Sequence, residues 1–429
     1  MNKILIYGAG VSGRGAELLA KKEKIDYLLI DDKKGFDSKK IIDELEKYDL
    51  LIKSPGISFE NKIVKKAKEK NIDIIDEIEF AFGFSKSKII AITGTNGKTT
   101  TTTKIKELLE FSGYDVSYAG NIGNSFAELI AEEKETEYVV LELSSYQLEG
   151  IKKFKPYIAM IINLTPDHLN RYENLNEYYK SKINIFKNQS KEDYAIINAD
   201  DKEMMKLYDK NFKAKKIKIS KENRDVDTYV ENGKIYIGEE EILETKKLGL
   251  KGIHNLENVL FIVSVANILG VKKNKIKQFL YNTKGLEHRM ESFYKIGRTV
   301  FINDSKGTNV DATIKALNSY EEKVVLITGG KDKKLDLEEL LETIMRKSKK
   351  VFLIGETSDK IEEGLIKKGY KKNNLYNIKK IDRIGEKLIE KIDFGKENVI
   401  LFSPAASSFD QFESFQKRGE IFKKLIKEI

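Results

Sequence analysis

Residues 88–103 read KIIAITGTNGKTTTTT, and no other stretch of the chain constrains its fold as narrowly. The apolar run Ile89–Ile92 predicts a buried strand, and the threonine-rich residues after the glycines predict a helix. Between them, Gly94–Thr99 supplies two glycines, a lysine and hydroxyl groups. Glycines let backbone N–H groups approach phosphate oxygens, and a helix N-terminus adds partial positive charge. Lys98 would then reach the β- and γ-phosphates of a nucleotide, and the Thr99 hydroxyl would bind Mg²⁺.

This phosphate loop departs from the common pattern G-x-x-x-x-G-K-[ST], because the position of its first glycine, residue 92, is isoleucine. The loop is therefore a shorter variant that begins at Gly94, which argues against a generic nucleotide triphosphatase. An ordinary glycine-rich turn between strand and helix is the alternative, but such a turn does not require the lysine–threonine pair. The predicted nucleotide-binding residues are Gly94, Thr95, Asn96, Gly97, Lys98, Thr99 and Thr100.

Length and composition set broad limits on the class of protein. A chain of 429 residues predicts two or three domains, and a hydrophobic fraction of 40% supports real cores. No stretch approaches the ~20 apolar residues that span a bilayer, so we expect no membrane insertion. The N-terminus, MNKILIYGAG, leads directly into a strand and predicts no signal peptide. The absence of cysteine fits a reducing compartment, and we expect a cytoplasmic protein.

The net charge of +9 raises the question of a nucleic-acid partner. Charged residues make up 34% of the chain, however, and both signs are interspersed along it. Lysine-rich runs such as residues 65–68 lie beside glutamates on helical patterns, which indicates solvated helix faces. We therefore expect no nucleic-acid partner, although the excess positive charge would help to collect small anions.

Three successive α/β domains are predicted, at residues 1–86, 87–285 and 286–429. Each alternates short apolar runs with helical patterns, which is typical of parallel sheets. Residues 212–248 are the exception, because they look β-rich and irregular. The predicted strands of the first domain are KILIYG, DYLLID, DLLIKS and IDIID, and those of the third are TVFIND, KVVLITGG, KVFLIGE and NVILFSP.

A second glycine loop, GAGVSG at Gly8–Gly13, follows the first predicted strand and precedes a helix. It matches G-x-G-x-x-G, and Asp31 and Asp32 end the next strand, where a ribose-binding carboxylate is expected. The direct interpretation is a nicotinamide or flavin dinucleotide site, but a UDP-sugar satisfies the same physics. The turn Ser54-Pro55-Gly56 ends a third strand at the same sheet edge, and a plain turn is its alternative interpretation.

Three polar residues of the central domain are candidates for metal or substrate contact. Glu142 ends an apolar run beside the phosphate loop, where a carboxylate can hold Mg²⁺, although a surface glutamate is the alternative. His168 follows another apolar run and would lie at the same sheet edge. Lys182 lies about 60° from the centre of an apolar helical stripe that includes Ile183 and Phe186. The residues alone favour a snorkelling lysine whose amine reaches water.

Further polar clusters follow later strands. Asn255 and Asn258 begin an apolar helix, where asparagine is usually a cap but could present its amide to a purine. In the third domain, polar residues end three predicted strands at residues 303–309, 329–333 and 403–408. Several such clusters in one domain predict a second substrate site there.

Taken in order, these segments resemble the Mur ligase family of peptidoglycan synthesis over essentially the whole chain. The resemblance implies a Rossmann-like UDP-binding domain, a central P-loop ATPase-like domain and a C-terminal Rossmann-like domain. It also implies an ATP-dependent amide ligase that adds D-glutamate to UDP-N-acetylmuramoyl-L-alanine through an acyl phosphate. We further expect a monomer. The motifs that carry it are GAGVSG, SPG, TGTNGKTT, GNIG, LELSSYQLE, NLTPDHLNRY, NEYYKSKI, GIHNLENV, GLEHRME, NDSKGTN, TGGKDK and SPAASSFDQF.

The resemblance assigns a role to each matching position. It implies catalytic roles for Lys98, Glu142, His168 and Lys182, and it turns Lys182 from a snorkelling residue into a carbamylated metal ligand. Two Mg²⁺ ions would be held by Thr99, Glu142, His168 and the Lys182 carbamate. ATP would also contact Asn255, Asn258, Arg289 and Asp304. The UDP substrate would contact Gly10, Val11, Ser12, Asp32, Lys33, Ser54, Pro55, Gly56 and Asn121. D-glutamate would contact Lys306, Thr308, Lys333, Ser408 and Phe415, although the lysines of TGGKDKK can be aligned in more than one way.

Other functions remain open at this point. The N-terminal glycine loop is compatible with a NAD-dependent oxidoreductase, but the phosphate loop at Gly94–Thr99 argues against this function. A nucleotide-gated binding module would bind ATP without amino-acid-dependent turnover. Folylpolyglutamate synthases share the ATP loop and the amide ligation, but they lack the N-terminal UDP-type domain.

Overall fold

The computed structural model describes residues 3–36, 38–167, 171–207, 212–250, 252–333, 336–396 and 398–429. Contacts between residues divide the chain into two compact units. The first comprises residues 1–164, 174–249 and 255–283, and the second comprises residues 165–173, 250–254 and 284–429. Among the described residues, no helix combines the length and the apolar composition that a membrane crossing requires.

The first unit begins with a small parallel sheet in the strand order β2-β1-β3-β4. Its inner strands are apolar on both faces because helices cover both sides of the sheet. The elements are β1 (Lys3–Tyr7), α1 (Val11–Lys22), β2 (Asp26–Ile30), α2 (Ser38–Asp43), β3 (Leu50–Lys53), α3 (Lys62–Glu69), β4 (Asp73–Asp76) and α4 (Glu77–Phe82).

The central sheet of the first unit has the order β13-β12-β11-β10-β9-β8-β5-β7-β6. It is parallel from β6 to β11 and antiparallel from β11 to β13, so the β-rich part predicted at 212–248 extends the same sheet. The elements are β5 (Lys88–Thr93), α5 (Lys98–Ser112), β6 (Val116–Gly120), α6 (Phe126–Ala131), β7 (Tyr138–Glu142), α7 (Ser145–Leu148), β8 (Ile158–Ile161), α8 (Leu175–Ile183), β9 (Tyr194–Asn198), α9 (Lys202–Leu207), β10 (Lys215–Ser220), β11 (Thr228–Glu231), β12 (Lys234–Ile237), β13 (Glu240–Glu244), α10 (Ile253–Ile268) and α11 (Lys273–Asn282).

The second unit contains a sheet in the order β14-β15-β19-β16-β17-β18, parallel except for β14. Buried apolar side chains cover both of its faces. Sequence analysis predicted β15, β16, β17 and β19 but missed β14 and β18. The elements are β14 (Glu291–Ile296), β15 (Thr299–Asn303), α12 (Val310–Asn318), β16 (Val324–Thr328), α13 (Glu338–Lys347), β17 (Ser348–Ile354), α14 (Ser358–Lys367), β18 (Leu375–Lys379), α15 (Ile384–Lys391), β19 (Asn398–Phe402) and α16 (Phe415–Lys427).

The predicted class, α/β with three mainly parallel sheets, is confirmed. The domain boundaries after residues 86 and 285 fall between the sheets and stay predictions.

Buried carboxylates attach the first sheet to the central one, a feature that sequence analysis missed. Glu77 Oε1 accepts a hydrogen bond from the backbone N–H of Ala127 at 2.6 Å. Glu79 accepts the three consecutive N–H groups of residues 152–154. Asp76 accepts the N–H of Gly150 at 2.7 Å. Each carboxylate thus accepts hydrogen bonds from backbone N–H groups of segments that belong to the central sheet's part of the chain.

Candidate active site

The phosphate loop connects β5 to α5, and Gly97 stands at the N-cap of the helix with φ of 85°. A Cβ at this position would lie 2.4 Å from Asn258 Oδ1, so only glycine fits without displacing that side chain. Because Gly97 has no side chain, it cannot cap the first N–H groups of α5. The helix therefore begins with backbone donors in the arrangement that binds anions.

Lys98 folds back over this loop. Its Nζ donates to the carbonyl oxygens of Gly94 and Thr95, both at 2.9 Å. The ammonium group therefore lies at the loop itself, where it would neutralise phosphate oxygens.

Asn163, directly after β8, holds the loop from the neighbouring strand. Its carbonyl accepts from Thr95 N at 3.0 Å, and its Oδ1 accepts from Asn96 N at 2.9 Å. Its Nδ2 donates to Glu257 at 3.1 Å. Sequence analysis gave Asn163 no role, although a polar residue at the end of a buried strand was a usable signal.

Glu142 ends β7, which pairs with β5 and places Glu142 beside Ile92 in register. Its side chain is buried, and Oε1 accepts from Asn121 Nδ2 at 2.9 Å. Among the described residues, Oε2 has no hydrogen-bond partner. A buried carboxylate oxygen without a donor is costly unless a cation binds it. This oxygen beside a phosphate loop therefore fits Mg²⁺, which prefers oxygen ligands.

Lys182 does not reach water, so the snorkelling interpretation is wrong. Its side chain is 1% exposed because α8 packs this face inward, and Nζ donates to the carbonyl of Gly94 at 3.0 Å. The ammonium also lies 4.7 Å from the ring centroid of Tyr178, whose hydroxyl is 3.2 Å from Thr95 Oγ1. Lys182 and Lys98 thus contact the same carbonyl group of the loop.

The remaining central-domain predictions are placed as follows. Thr99 and Thr100 lie in the first turn of α5, and Thr100 is buried. Asn255 and Asn258 lie inside α10, which begins at Ile253, so neither is its N-cap. Asn258 links α10 to α5, because its Oδ1 accepts from Thr101 Oγ1 at 3.3 Å. Within α10, its Nδ2 donates to Asn255 at 3.2 Å. His168 lies outside the described residues.

The N-terminal glycine loop is closed by Asp31 rather than by Asp32. Asp31 accepts from the loop N–H of Ala9 at 2.6 Å and from the N–H of Lys33 at 2.9 Å. Asp32 instead accepts from the hydroxyl of Tyr7 at 2.7 Å. Sequence analysis selected Asp32 as the ligand-binding residue and did not foresee the contact of Asp31 with the loop.

The other predicted UDP-substrate residues surround the same edge of the first sheet. Ser54 Oγ donates to the carbonyl of Gly8 at 3.1 Å, which ties the third strand end to the glycine loop. The predicted residues that are at least partly accessible there are Gly10, Val11, Ser12, Asp32, Lys33, Ser54, Pro55 and Gly56. Asn121 lies after β6, beside Glu142.

In the second unit, the predicted D-glutamate residues follow three adjacent strands. Lys306 and Thr308 follow β15, Lys333 follows β16, and Ser408 follows β19, which lies between the other two. Phe415 begins α16, and its ring centroid is 5.0 Å from Lys306 Nζ. The carboxyl ends of these parallel strands bring their loops to one edge of the sheet.

The two lysines of TGGKDK have different partners. Lys333 Nζ is 3.1 Å from Asp167 Oδ1, and Asp167 also accepts from Asn309 at 3.3 Å. Lys331 pairs with Glu356 at 2.6 Å on the surface. Lys333 is thus the less exposed of the two lysines.

Asp304 is buried behind these loops. It accepts from Ser403 Oγ at 2.7 Å and from the N–H of Met290 at 3.2 Å. Burial raises the pKa of this carboxyl to about 6, against the opposing effects of the Ser403 hydrogen bond and the nearby Arg289 charge. Arg289 and Asp304 are therefore electrostatic neighbours.

Comparison with known proteins defines the class. Residues 92–266 match the family model described as Mur ligase middle domain, and residues 288–406 match the one described as Mur ligase, glutamate ligase domain. The chain belongs to the Mur ligase family. A relative from Fusobacterium nucleatum named UDP-N-acetylmuramoylalanine--D-glutamate ligase is 47% identical over the full length of both chains. A protein of the same name from Natranaerobius thermophilus is 37% identical over 99% of this chain and 97% of its own.

Solved structures share the fold at lower identity. UDP-N-acetylmuramate-alanine ligase MurC from Thermotoga maritima aligns with a TM-score of 0.63 and 17% identity over 100% of both chains. MurF ligase from the same organism, solved in complex with ADP, aligns with a TM-score of 0.60 and 18% identity over 92% of both.

Proposed function

We propose that the protein is an ATP-dependent ligase that joins D-glutamate to UDP-N-acetylmuramoyl-L-alanine, a step of peptidoglycan precursor synthesis. The observation that carries this proposal is the 47% identity to a relative of that name over the whole chain, which covers all three sheets. NAD-dependent oxidation is disfavoured because Asp31, a candidate for ribose binding, is engaged with the backbone of its own loop.

The first chemical step is phosphorylation of the terminal alanine carboxylate by ATP, which gives an acyl phosphate and ADP. Two anions must approach each other, so the site has to neutralise charge. Lys98 and the N-terminal N–H groups of α5 bind the phosphates. Thr99 and Glu142 would hold Mg²⁺, and the ion would supply positive charge to offset that of the phosphate oxygens. In the second step the D-glutamate amine attacks the acyl carbon, and the tetrahedral intermediate expels phosphate to form the amide.

Lys182 is proposed to act as a carbamate. The buried ammonium group of Lys182 shares the Gly94 carbonyl with the ammonium group of Lys98, and the proximity of two like charges disfavours the charged form of each. Carbamylation converts Lys182 into an anionic oxygen ligand, which with His168 would hold a second Mg²⁺. We expect activity to fall in CO₂-depleted buffer and to return with bicarbonate. Mass spectrometry should find the carbamate on Lys182, and Lys182→Ala should lose both the modification and the activity. A wild-type activity that is indifferent to CO₂ would reject this part of the proposal.

The substrates are assigned by domain. UDP-N-acetylmuramoyl-L-alanine binds residues 1–86 together with Asn121, ATP binds residues 87–285, and D-glutamate binds residues 286–429. Asn255, Asn258, Arg289 and Asp304 are assigned to ATP on the family resemblance. We further propose a monomer that acts in the cytoplasm, where both the UDP substrate and ATP are made.

The test is phosphate release from ATP and Mg²⁺ with UDP-N-acetylmuramoyl-L-alanine, across a panel of D- and L-amino acids. Release that depends on D-glutamate alone supports the proposal. Release with a different amino acid would keep the chemistry but reassign the site in the second unit. Nucleotide binding without any turnover would favour a binding module, and absorbance changes with a nicotinamide cofactor would favour an oxidoreductase.

A further inference from the structure

Arg418, on α16, is among the largest fully buried side chains of the described residues. It is 1% exposed, and its guanidinium makes three hydrogen bonds. Nε donates to Ser305 Oγ at 3.1 Å, Nη2 donates to the Ser305 carbonyl at 2.8 Å, and Nη1 donates to the Ala406 carbonyl at 3.0 Å. Each of the three guanidinium nitrogens thus donates one hydrogen bond, and together they contact two loops.

The groups that Arg418 contacts lie in the loops after three adjacent strands. Ser305 follows β15, and Ala406 follows β19. A Cβ on Gly330, which follows β16, would lie 3.1 Å from Arg418 Nη1, so the guanidinium also lies against this third loop. One side chain therefore links the strand ends that meet at this edge of the sheet.

These three loops also carry the residues assigned to D-glutamate. Lys306 directly follows Ser305, Ser408 lies two residues after Ala406, and Lys333 lies three residues after Gly330. Ser305 Oγ in turn donates to the carbonyl of Phe415 at 2.8 Å, which fixes the start of α16. A shift of the guanidinium would therefore displace the loops that carry the residues assigned to D-glutamate.

The charge of Arg418 is not balanced by an ion pair. Its acceptors are two carbonyls and a hydroxyl, and no carboxylate of the described residues lies within ion-pair distance of it. Burial lowers its pKa to about 10, partly offset by Asp410 and Asp304, so it remains charged at neutral pH. D-glutamate carries two carboxylates, and a buried positive charge beneath its site favours such a ligand.

We propose that Arg418 is a positioning residue that sets the spacing of the three loops around D-glutamate and makes the site selective for an acidic amino acid. The inference rests on the proposed function, because it takes D-glutamate as the ligand of these loops. Arg418 does not contact the substrate in this view and acts through Ser305, Ala406 and Gly330. A purely structural arginine would instead stabilise the fold without a preference for one substrate.

The test compares Arg418→Lys, which keeps the charge but loses the fork, with Arg418→Met, which loses both. Loss of hydrogen bonds to a charged group corresponds to a rise of about 10- to 100-fold in the KM for D-glutamate. We expect the larger rise in Arg418→Met, with the KM for ATP and for the UDP substrate within about twofold of wild type. Arg418→Met should also narrow the preference for D-glutamate over D-glutamine. Arg383→Lys and Arg383→Met, at an exposed arginine of the same unit, are the matched controls.

An unchanged KM for D-glutamate in both Arg418 variants, or an equal rise for all three substrates, would overturn the inference. If the Arg418 variants do not fold, Ser305→Ala decides, because it leaves Arg418 in place and removes the hydroxyl that accepts from Nε and donates to the Phe415 carbonyl. A severalfold rise confined to D-glutamate supports the inference, and no change overturns it. A wild-type protein without D-glutamate-dependent phosphate release would instead reject the proposed function.

Discussion

The two glycine loops have the same form but opposite charge. Each follows a buried parallel strand and opens a helix whose N-cap is a glycine. In the N-terminal loop, the carboxylate of Asp31 accepts the N–H of Ala9 at 2.6 Å. In the central loop, the ammonium of Lys98 covers the carbonyls of Gly94 and Thr95. The backbone pattern is shared, and the groups packed against it differ.

The difference teaches that a glycine motif specifies a backbone shape and not a ligand. The central loop adds a cation to its helix N-terminus and suits a triphosphate. In the N-terminal loop, the N–H of Ala9 already donates to the carboxylate of Asp31, so fewer backbone N–H groups remain to bind a pyrophosphate. Variants that act on one loop and spare the other therefore test the assignment of the two ligands.

The largest effect is expected for Lys98→Ala. Removal of the ammonium should lower phosphate release by at least about 100-fold, because the transferred phosphate loses its main protein cation. Binding of UDP-N-acetylmuramoyl-L-alanine, measured by calorimetry, should remain. Lys106→Ala, at a lysine paired with Glu110 on the same helix, is the control. Loss of UDP-substrate binding in Lys98→Ala would contradict the separation of the two sites.

Gly97→Ala should have the next largest effect. The new Cβ would meet Asn258 Oδ1 and force a φ of 85° on alanine, a strain that corresponds to an effect of about 10- to 100-fold. We expect it in kcat/KM for ATP, with the KM for the UDP substrate unchanged. Gly113→Ala is a matched control, because Gly113 has φ of 94° at the other end of α5 and open space around it. Equal effects of the two variants on ATP would show that strain in α5, and not the loop, is responsible.

The central loop was predictable because its signal is local, whereas its surroundings were not. The strand, the glycines and the start of the helix all lie within residues 88–103, and the structure places β5 and the beginning of α5 there. Asn163 contacts Asn96 across 67 positions of sequence, and Arg418 contacts Ser305 across 113. A single sequence carries no signal for such pairings, so neither contact was predicted, although the position of Asn163 at a strand end would have marked it as a candidate.

Lys182 also shows that a single sequence does not reveal contacts between distant residues, although here the residue itself was a candidate. The helical stripe correctly placed Lys182 at the border of the buried face of α8. It could not tell whether the amine of Lys182 reaches water or the phosphate loop. In the structure, the packing of α8 directs the amine of Lys182 to the phosphate loop, where it donates to the Gly94 carbonyl. Family resemblance, and not periodicity, pointed to a role for this residue. The strands β14 and β18 were missed because their burial is partial and their apolar pattern is weak.

A smaller effect is expected for Asp31→Ala in the N-terminal loop. The loop would lose two hydrogen bonds to a charged acceptor, at Ala9 and Lys33, so the KM for the UDP substrate should rise about tenfold. The KM for ATP should not change, and Asp31→Asn should recover only part of the loss, because its single amide oxygen can accept from Ala9 or from Lys33 but not from both. Asp26→Ala, at an exposed position at the start of β2, which Asp31 follows, is the control. A lower KM for the UDP substrate in Asp31→Ala would mean that repulsion between the Asp31 carboxylate and the substrate outweighs the stabilisation of the loop by Asp31.

The last prediction concerns stability rather than activity, and it tests the attachment of the first sheet to the central one. Burial raises the pKa of Glu77 from 4.5 to about 7, with Asp76 and Glu128 adding to the shift and the N–H groups of Ala127 and Phe126 opposing it.

Because the folded state holds this proton more tightly than the unfolded state, stability should fall as the pH rises from about 4.5 through about 7, by up to about 3 kcal/mol. Glu77→Gln cannot ionise, so its Tm should fall less than that of wild type between about pH 5 and about pH 8. Glu69→Gln, at an exposed glutamate, should keep the wild-type slope. Parallel curves for wild type and Glu77→Gln would show that Glu77 is not the titrating group, and the attachment of the first sheet would then not depend on its proton.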